Sequence, residues 1–259
     1  MRTLKFYYKT ENHYTQPVTE HDFLLRCIPQ ELPEQRILSM KLTIEPECTG
    51  GNYGSDSFGN RTFTGRLPEE HDFFSYMIEG EALRDDTKIP VTAPLPIYSY
   101  ASSMTVPSPF LRELLGTIPE DGDVLTQAWQ MADTVYHHME YVSGVTNIHT
   151  TAAQALELGQ GVCQDFTHIF LAMCRMRRIP ARYVSGLPEG EGASHAWGEV
   201  WYNGIWHGFD PTRDCLANES YLKLCTGRDF HDCPIEQGLF HGFTDQTQTV
   251  FTRVMDAQQ

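Results

Sequence analysis

A chain of 259 residues with 41% hydrophobic content can bury one large core or two modest ones, and its mixed composition excludes collagen-like, coiled-coil and low-complexity architectures. Nineteen Lys and Arg stand against 34 Asp and Glu, a formal net charge of -15, and no basic cluster could neutralise several phosphates, so neither nucleic acid nor an anionic membrane is an expected partner. Seven cysteines, an odd number without regular spacing, argue against a disulfide framework and for a reducing compartment.

The opening MRTLKFYYKTENHYTQ lacks the apolar run of a signal peptide, and no window reaches the ~18 apolar residues of a spanning helix. The expected location is the cytoplasm. Residues 1–88 read as β structure: in Leu38 to Ile44 every second residue is apolar, as in a strand with one buried face. Phe58-Gly59-Asn60-Arg61 supplies turn chemistry before a second short strand, Thr62 to Leu67. Five prolines between Ile89 and Pro109 break regular structure and mark a domain junction near residue 90. That divides the chain into 1–90 and 91–259.

Beyond the junction the period becomes helical. Leu125, Ala128, Trp129, Ala132, Val135, Tyr136 and Met139 share one face, with Asp121 and Asp123 suited to the N-terminal end. Thr151 to Leu158 predicts a shorter helix ending at Gly159. After Gly159-Gln160-Gly161, a stripe of Cys163, Phe166, Ile169, Phe170 and Met173 predicts a buried helix that opens at Cys163 and stops before Pro180. Strands follow at Ala181 to Leu187, Ser194 to Tyr202 and Ile205 to Asp210. Asn203-Gly204, between the last two, is a strong two-residue hairpin signal.

A two-residue turn sets the register: Tyr202 faces Ile205, Trp201 faces Trp206, Glu199 faces Gly208 and Trp197 faces Asp210. Alternation then puts His195 and Asp210 on one face as diagonal neighbours, roughly 7–8 Å apart, within reach of long side chains. A slip of one residue would send Asp210 to the other face. A cysteine at a helix N-terminus completes the chemistry, because the leading N–H groups and the positive end of the dipole favour a thiolate and can hold an acyl-transfer oxyanion. Cys163 is thus the candidate nucleophile, His195 the proton shuttle and Asp210 the group that orients it.

The runs GVCQDFTHIF, ASHAWGEVWYNGIWHGFDPTRD and GRDF resemble the transglutaminase-like superfamily of papain-like cysteine enzymes, in its prokaryotic branch. Arg26, Gln35 and Phe58-Gly59-Asn60 resemble the β-rich domain that precedes this core in bacterial members. The resemblance implies an α+β fold: a β-sandwich-like N-terminal domain, then a papain-like core of helices on an antiparallel sheet. It also implies an amide-bond hydrolase, peptidase or acyltransferase with a thioester intermediate, acting on a peptide, protein or small amide, with a Cys163, His195, Asp210 triad.

Other readings stand beside it. A catalytically silent transglutaminase-fold binding or assembly module would keep the same fold. An ordinary free cysteine is a small buried hydrophobe, and Cys174, eleven residues along the same helix and about 16 Å from Cys163, is read that way. Gln160 and Gln164 are candidate oxyanion donors by position, and Trp197 and Asp165 are assigned to the pocket. His207 is expected on the opposite hairpin face without a catalytic role. Cys, His and Asp also bind zinc, but the chain has no C-x-x-C or H-E-x-x-H, and neither metal nor other cofactor is expected.

Overall fold

The computed structural model describes residues 1–85, 90 and 93–258. The boundary drawn near residue 90 falls at residues 86–92, most of which lie outside that description. Five strands come first: β1 (Arg2–Leu25), β2 (Gln35–Glu45), β3 (Thr49–Ser55), β4 (Arg61–Leu67) and β5 (His71–Arg84). A helical stretch follows with α1 (Pro109–Gly116), α2 (Val124–His138), β6 (Glu140–Tyr141), α3 (Ala152–Leu158), β7 (Gln160–Gly161) and α4 (Cys163–Met176). The chain closes with β8 (Ala181–Pro188), β9 (Gly190–Gly192), β10 (His195–Tyr202), β11 (Ile205–Asp210), β12 (Cys215–Ala217), β13 (Tyr221–Gly227), β14 (Glu236–His241) and β15 (Gln246–Asp256).

β1 organises the first sheet. Leu4, Phe6, Tyr8, Thr10, Asn12 and Tyr14 alternate along it and are all buried, the period of a strand with one covered face. Its first half pairs with β5 and β15, and its second half with β4 and β14. Between them the register shifts and Glu20 adopts a φ of 53°, so β1 bends. The sandwich-like arrangement expected for the N-terminal region therefore takes the form of one curled, eight-stranded antiparallel sheet with two limbs. β14 and β15, which the division at residue 90 would group with the core, hydrogen-bond to β1 in this sheet. Leu38, expected on the buried face of its strand, is 46% exposed because β2 bulges between Ile37 and Ser39; Ile37, Met40, Leu42 and Ile44 pack inward instead.

A second antiparallel sheet, in the order β12-β11-β10-β8-β13, carries α4 across one face. The other helices gather around α4 over a core that includes Leu111, Met131, Phe166 and Phe170. Trp129 and Tyr136, placed on the buried stripe of α2 by periodicity, are 39% and 41% exposed, while Met131 is buried. A separate cluster joins Leu187, Leu222, Leu224 and Ile235 to the curled sheet.

Side-chain amides seal the seam between the two sheets. Gln35 accepts from Lys223 N and donates to Lys223 O, both at 2.8 Å, and Asn60 does the same with Thr226 at 2.7 and 2.8 Å. Each amide imitates the peptide of a neighbouring strand, which satisfies polar groups on a β13 edge that no strand covers. The architecture is a mixed helix and sheet fold in which a curled antiparallel sheet packs against a helix-covered one.

Candidate active site

α4 begins at Cys163 because the chain before it is pinned. β7 pairs with β6, and the Asp165 carboxylate accepts from Val162 N at 2.8 Å and from Thr146 Oγ1 at 2.7 Å through the same oxygen, Oδ2. Gly161 lets Asp165 fold back this closely, since a Cβ there would lie 2.6 Å from Oδ2. Burial raises the Asp165 carboxyl pKa, partly offset by these hydrogen bonds. Cys163 is half-buried and is the first residue of α4, whose leading N–H groups have no partner within the helix.

The hairpin follows the counted register: Tyr202 with Ile205, Trp201 with Trp206 and Glu199 with Gly208. Asn203 and Gly204 both have positive φ, 48° and 83°, as a type I′ turn requires. His195, at the start of β10, then meets Asp210, at the end of β11, with Nε2 to Oδ2 at 2.7 Å. Asp210 is fully buried and fully engaged: Oδ1 accepts from Thr212 N at 3.0 Å and Arg213 N at 3.2 Å, and Tyr221 Oη donates to Oδ2 at 2.9 Å. A carboxylate held at four points cannot rotate, so it presents a fixed edge to the imidazole.

His195 and Cys163 line one cavity, and with Nε2 on Asp210 the Nδ1 edge is the one left to meet the thiol. Burial opposes the imidazolium, but the bond to Asp210 and the nearby Cys163 outweigh it and raise the pKa from 6.5 to about 9. At neutral pH the imidazole therefore carries its proton.

Cys163, Gln164 and His195 open onto a cavity of about 390 Å³ whose far wall, including Tyr8, Tyr76, Glu236 and Gln248, comes from the curled sheet. A second cavity of about 480 Å³ lies between α2 and the β10-β11 hairpin and contains none of the three. Gln164 lines the Cys163 cavity, but Gln160 does not: its amide donates to Glu140 Oε2 at 2.8 Å beside the β6-β7 bridge. Neither pocket assignment holds geometrically. Trp197 is fully buried behind the cavity, edge-on to Tyr221 at 5.2 Å, and Asp165 is buried beneath the turn that it caps. Trp197 shares a strand face with His195 and Asp165 lies close to Cys163 in sequence, but neither relation reveals which part of a strand or helix end meets the cavity. His207 pairs with Val200 and stays out of the Cys163 cavity. Tyr221 and the curled-sheet wall were missed. The wall did leave a signal, a change from apolar to polar on one face of β1.

Residues 113–211 match the transglutaminase-like superfamily and residues 4–82 match the bacterial transglutaminase-like N-terminal region. The chain carries a transglutaminase-like core with a bacterial transglutaminase-like N-terminal region ahead of it. An uncharacterized protein of Mycobacterium leprae is 39% identical over 114 residues, which span 40% of this chain and 40% of that protein. An uncharacterized protein of Mycobacterium tuberculosis is 26% identical over an alignment covering 90% of this chain and 86% of the relative. A protein from Cytophaga hutchinsonii, proposed as a cysteine protease, superposes with a TM-score of 0.83 at 22% identity, covering 99% of this chain and 92% of its own. That likeness extends the shared fold over both sheets.

Proposed function

We propose that the protein is a cysteine-dependent amide-bond hydrolase or acyltransferase that works through a thioester on Cys163. The carrying observation is the chain of hydrogen bonds from Tyr221 and the Asp210 turn, through Asp210, to a His195 that lines one cavity with Cys163. The sulfur attacks the amide carbonyl, and the S–C bond forms as the leading N–H groups of α4, with Gln164 nearby, receive the oxyanion. His195 gives its proton to the leaving nitrogen as the C–N bond breaks, and the amine departs neutral. Water then attacks the thioester, His195 takes its proton, and the acid leaves as the sulfur is restored with its proton partner.

We favour hydrolysis over transfer, because a transferase must keep water from the thioester in favour of an amine. The substrate class is a peptide, protein or small amide. A reducing compartment, the cytoplasm, fits seven cysteines that are all unpaired.

Timed alkylation of the native protein with iodoacetamide, mapped by mass spectrometry, tests the nucleophile. Cys163 should react first, and Cys163→Ala should abolish turnover while leaving the melting temperature close to wild type. A Cys163 that reacts no faster than the other six thiols defeats the proposal. An amide library screened for a trapped acyl group on Cys163 then identifies the substrate.

A further inference from the structure

The cavity wall opposite Cys163 has a chemistry of its own. Along the buried face of β1 the residues turn from Leu4 and Phe6 to Tyr8, Thr10 and Asn12, although all are at most 3% exposed. Buried polar side chains are retained where their hydrogen bonds are met, and here they converge on one carboxylate. Asn12 Oδ1 accepts from Gln246 Nε2 at 2.7 Å and from Gln248 Nε2 at 3.0 Å, which turns its Nδ2 toward Glu236. That nitrogen donates to both Glu236 oxygens, at 2.9 and 3.1 Å, and Gln248 Nε2 adds a third contact at 3.2 Å. Tyr76 lines the same cavity.

Every one of these donors is neutral. Among the described residues Glu236 has no ion pair, no Lys or Arg lines the cavity, and the one cation that does, His195, is paired with Asp210. Arg26, which reaches the neighbouring Pro234 carbonyl and Gln237, is paired with Asp56 at 2.8 Å. Burial raises the Glu236 carboxyl pKa, as it must where a negative charge is oriented by dipoles but not compensated. An oriented, uncompensated carboxylate in the cavity that holds the attacking sulfur is a complement for a positive charge.

We propose that Glu236, aligned by Asn12 and Gln248, is the recognition site for a primary ammonium group on the substrate, whose acyl carbon is delivered to Cys163. The inference rests on the reading of Cys163 as nucleophile and adds the class of substrate: an amide bearing an ammonium. The peptide dipoles and hydroxyls around Glu236 leave the ammonium's remaining N–H groups partners in Tyr8 and Tyr76.

The test compares alkylation of Cys163 by N-(2-aminoethyl)iodoacetamide with that by its neutral near-isostere N-propyliodoacetamide. Half-exposed Cys48 on the same molecule serves as the internal reference. In the wild type the ammonium probe should modify Cys163 about tenfold faster, relative to its effect at Cys48, and Glu236→Gln should reduce that preference to about twofold or less. The wild-type comparison requires no variant to fold. Equal rates for the two probes, a preference shared by Cys48, or a preference that survives in a folded Glu236→Gln protein would each overturn the ammonium site while leaving the nucleophile standing. If Cys163 does not outpace the other thiols with either probe, the nucleophile falls and the site falls with it.

Discussion

Tyr221 Oη donates to Asp210 Oδ2 at 2.9 Å, sharing that oxygen with His195 Nε2 at 2.7 Å. The phenol holds the carboxylate without lining the cavity. Tyr221→Phe should lower kcat/KM by roughly three- to tenfold, the scale of one neutral hydrogen bond, with little change in KM. Asp210→Asn should cost on the order of 10⁴-fold, because it disturbs the tautomer and charge that the imidazole needs. Titration of His195 by NMR separates positioning from packing: Asp210→Asn moves its pKa down, whereas Tyr221→Phe frees the carboxylate and moves it up.

His195 makes stability depend on pH. Burial disfavours its charge, yet the bond to Asp210 and the nearby Cys163 hold its pKa at about 9, above the unfolded value near 6.5. A raised imidazole pKa means that the folded state binds the proton more tightly. Its contribution is therefore complete below pH 6.5 and is lost as pH rises through about 9. Melting temperatures measured from pH 6 to 10 should fall more for the wild type than for His195→Asn, and turnover should decline over the same rise as the leaving amine loses its proton donor.

Gly198 sets the distance between α4 and β10. A Cβ at this position would lie 2.5 Å from the Phe170 ring, and ring and strand backbone are both fixed in the core. Gly198→Ala should destabilise the protein by ~1–3 kcal/mol through overpacking. It should also reduce activity beyond what that loss explains, because it shifts the helix carrying Cys163 relative to the strand carrying His195. Urea unfolding and kcat measured at a temperature where the variant is fully folded distinguish the two effects.

Glu199 anchors the back of the same sheet. It is 1% exposed and bonds Arg182 Nε at 2.7 Å and Lys223 Nζ at 2.5 Å, while Lys223 also meets Glu34 at 2.8 Å. Burial opposes its charge, but the two cations win and lower its pKa to about 2, so its contribution is present above pH 4.5 and lost as pH falls through about 2. Glu199→Gln leaves two buried cations short of a partner and should cost ~3–5 kcal/mol in denaturant unfolding. A near-neutral result would mean that water reaches Arg182 and Lys223.

The site was legible where its geometry is local. Helical periodicity after Gly161 located the start of α4 at Cys163, and a two-residue turn with Asn203 and Gly204 fixed the register that joins His195 to Asp210. Both depend on interactions within a turn or a few residues, whose dihedral preferences are carried by the residues themselves. The 24-residue β1 was not legible, because its face turns polar at Thr10 and Asn12 and so breaks the apolar alternation that marks a strand. α1 was hidden in the proline-rich stretch, although Pro109 sits at its first turn, where proline is tolerated. Gln160 was read as an oxyanion donor and Trp197 and Asp165 as pocket residues, and the structure turns each of them away from the cavity.

The sequence by itself determined the position of Cys163 at a helix start, the hairpin register behind the His195-Asp210 pair, and the resemblance to the transglutaminase-like core. These follow from periodicity, from a turn that only certain residues adopt, and from motifs of fixed spacing. The tertiary structure alone decided what faces Cys163 across the cavity. β14 and β15 return from the end of the chain to flank β1, more than 200 residues away in sequence, and bring Glu236 and Gln248 to Asn12. No local preference encodes such a pairing, because it is stabilised only when both sheets close over a shared core.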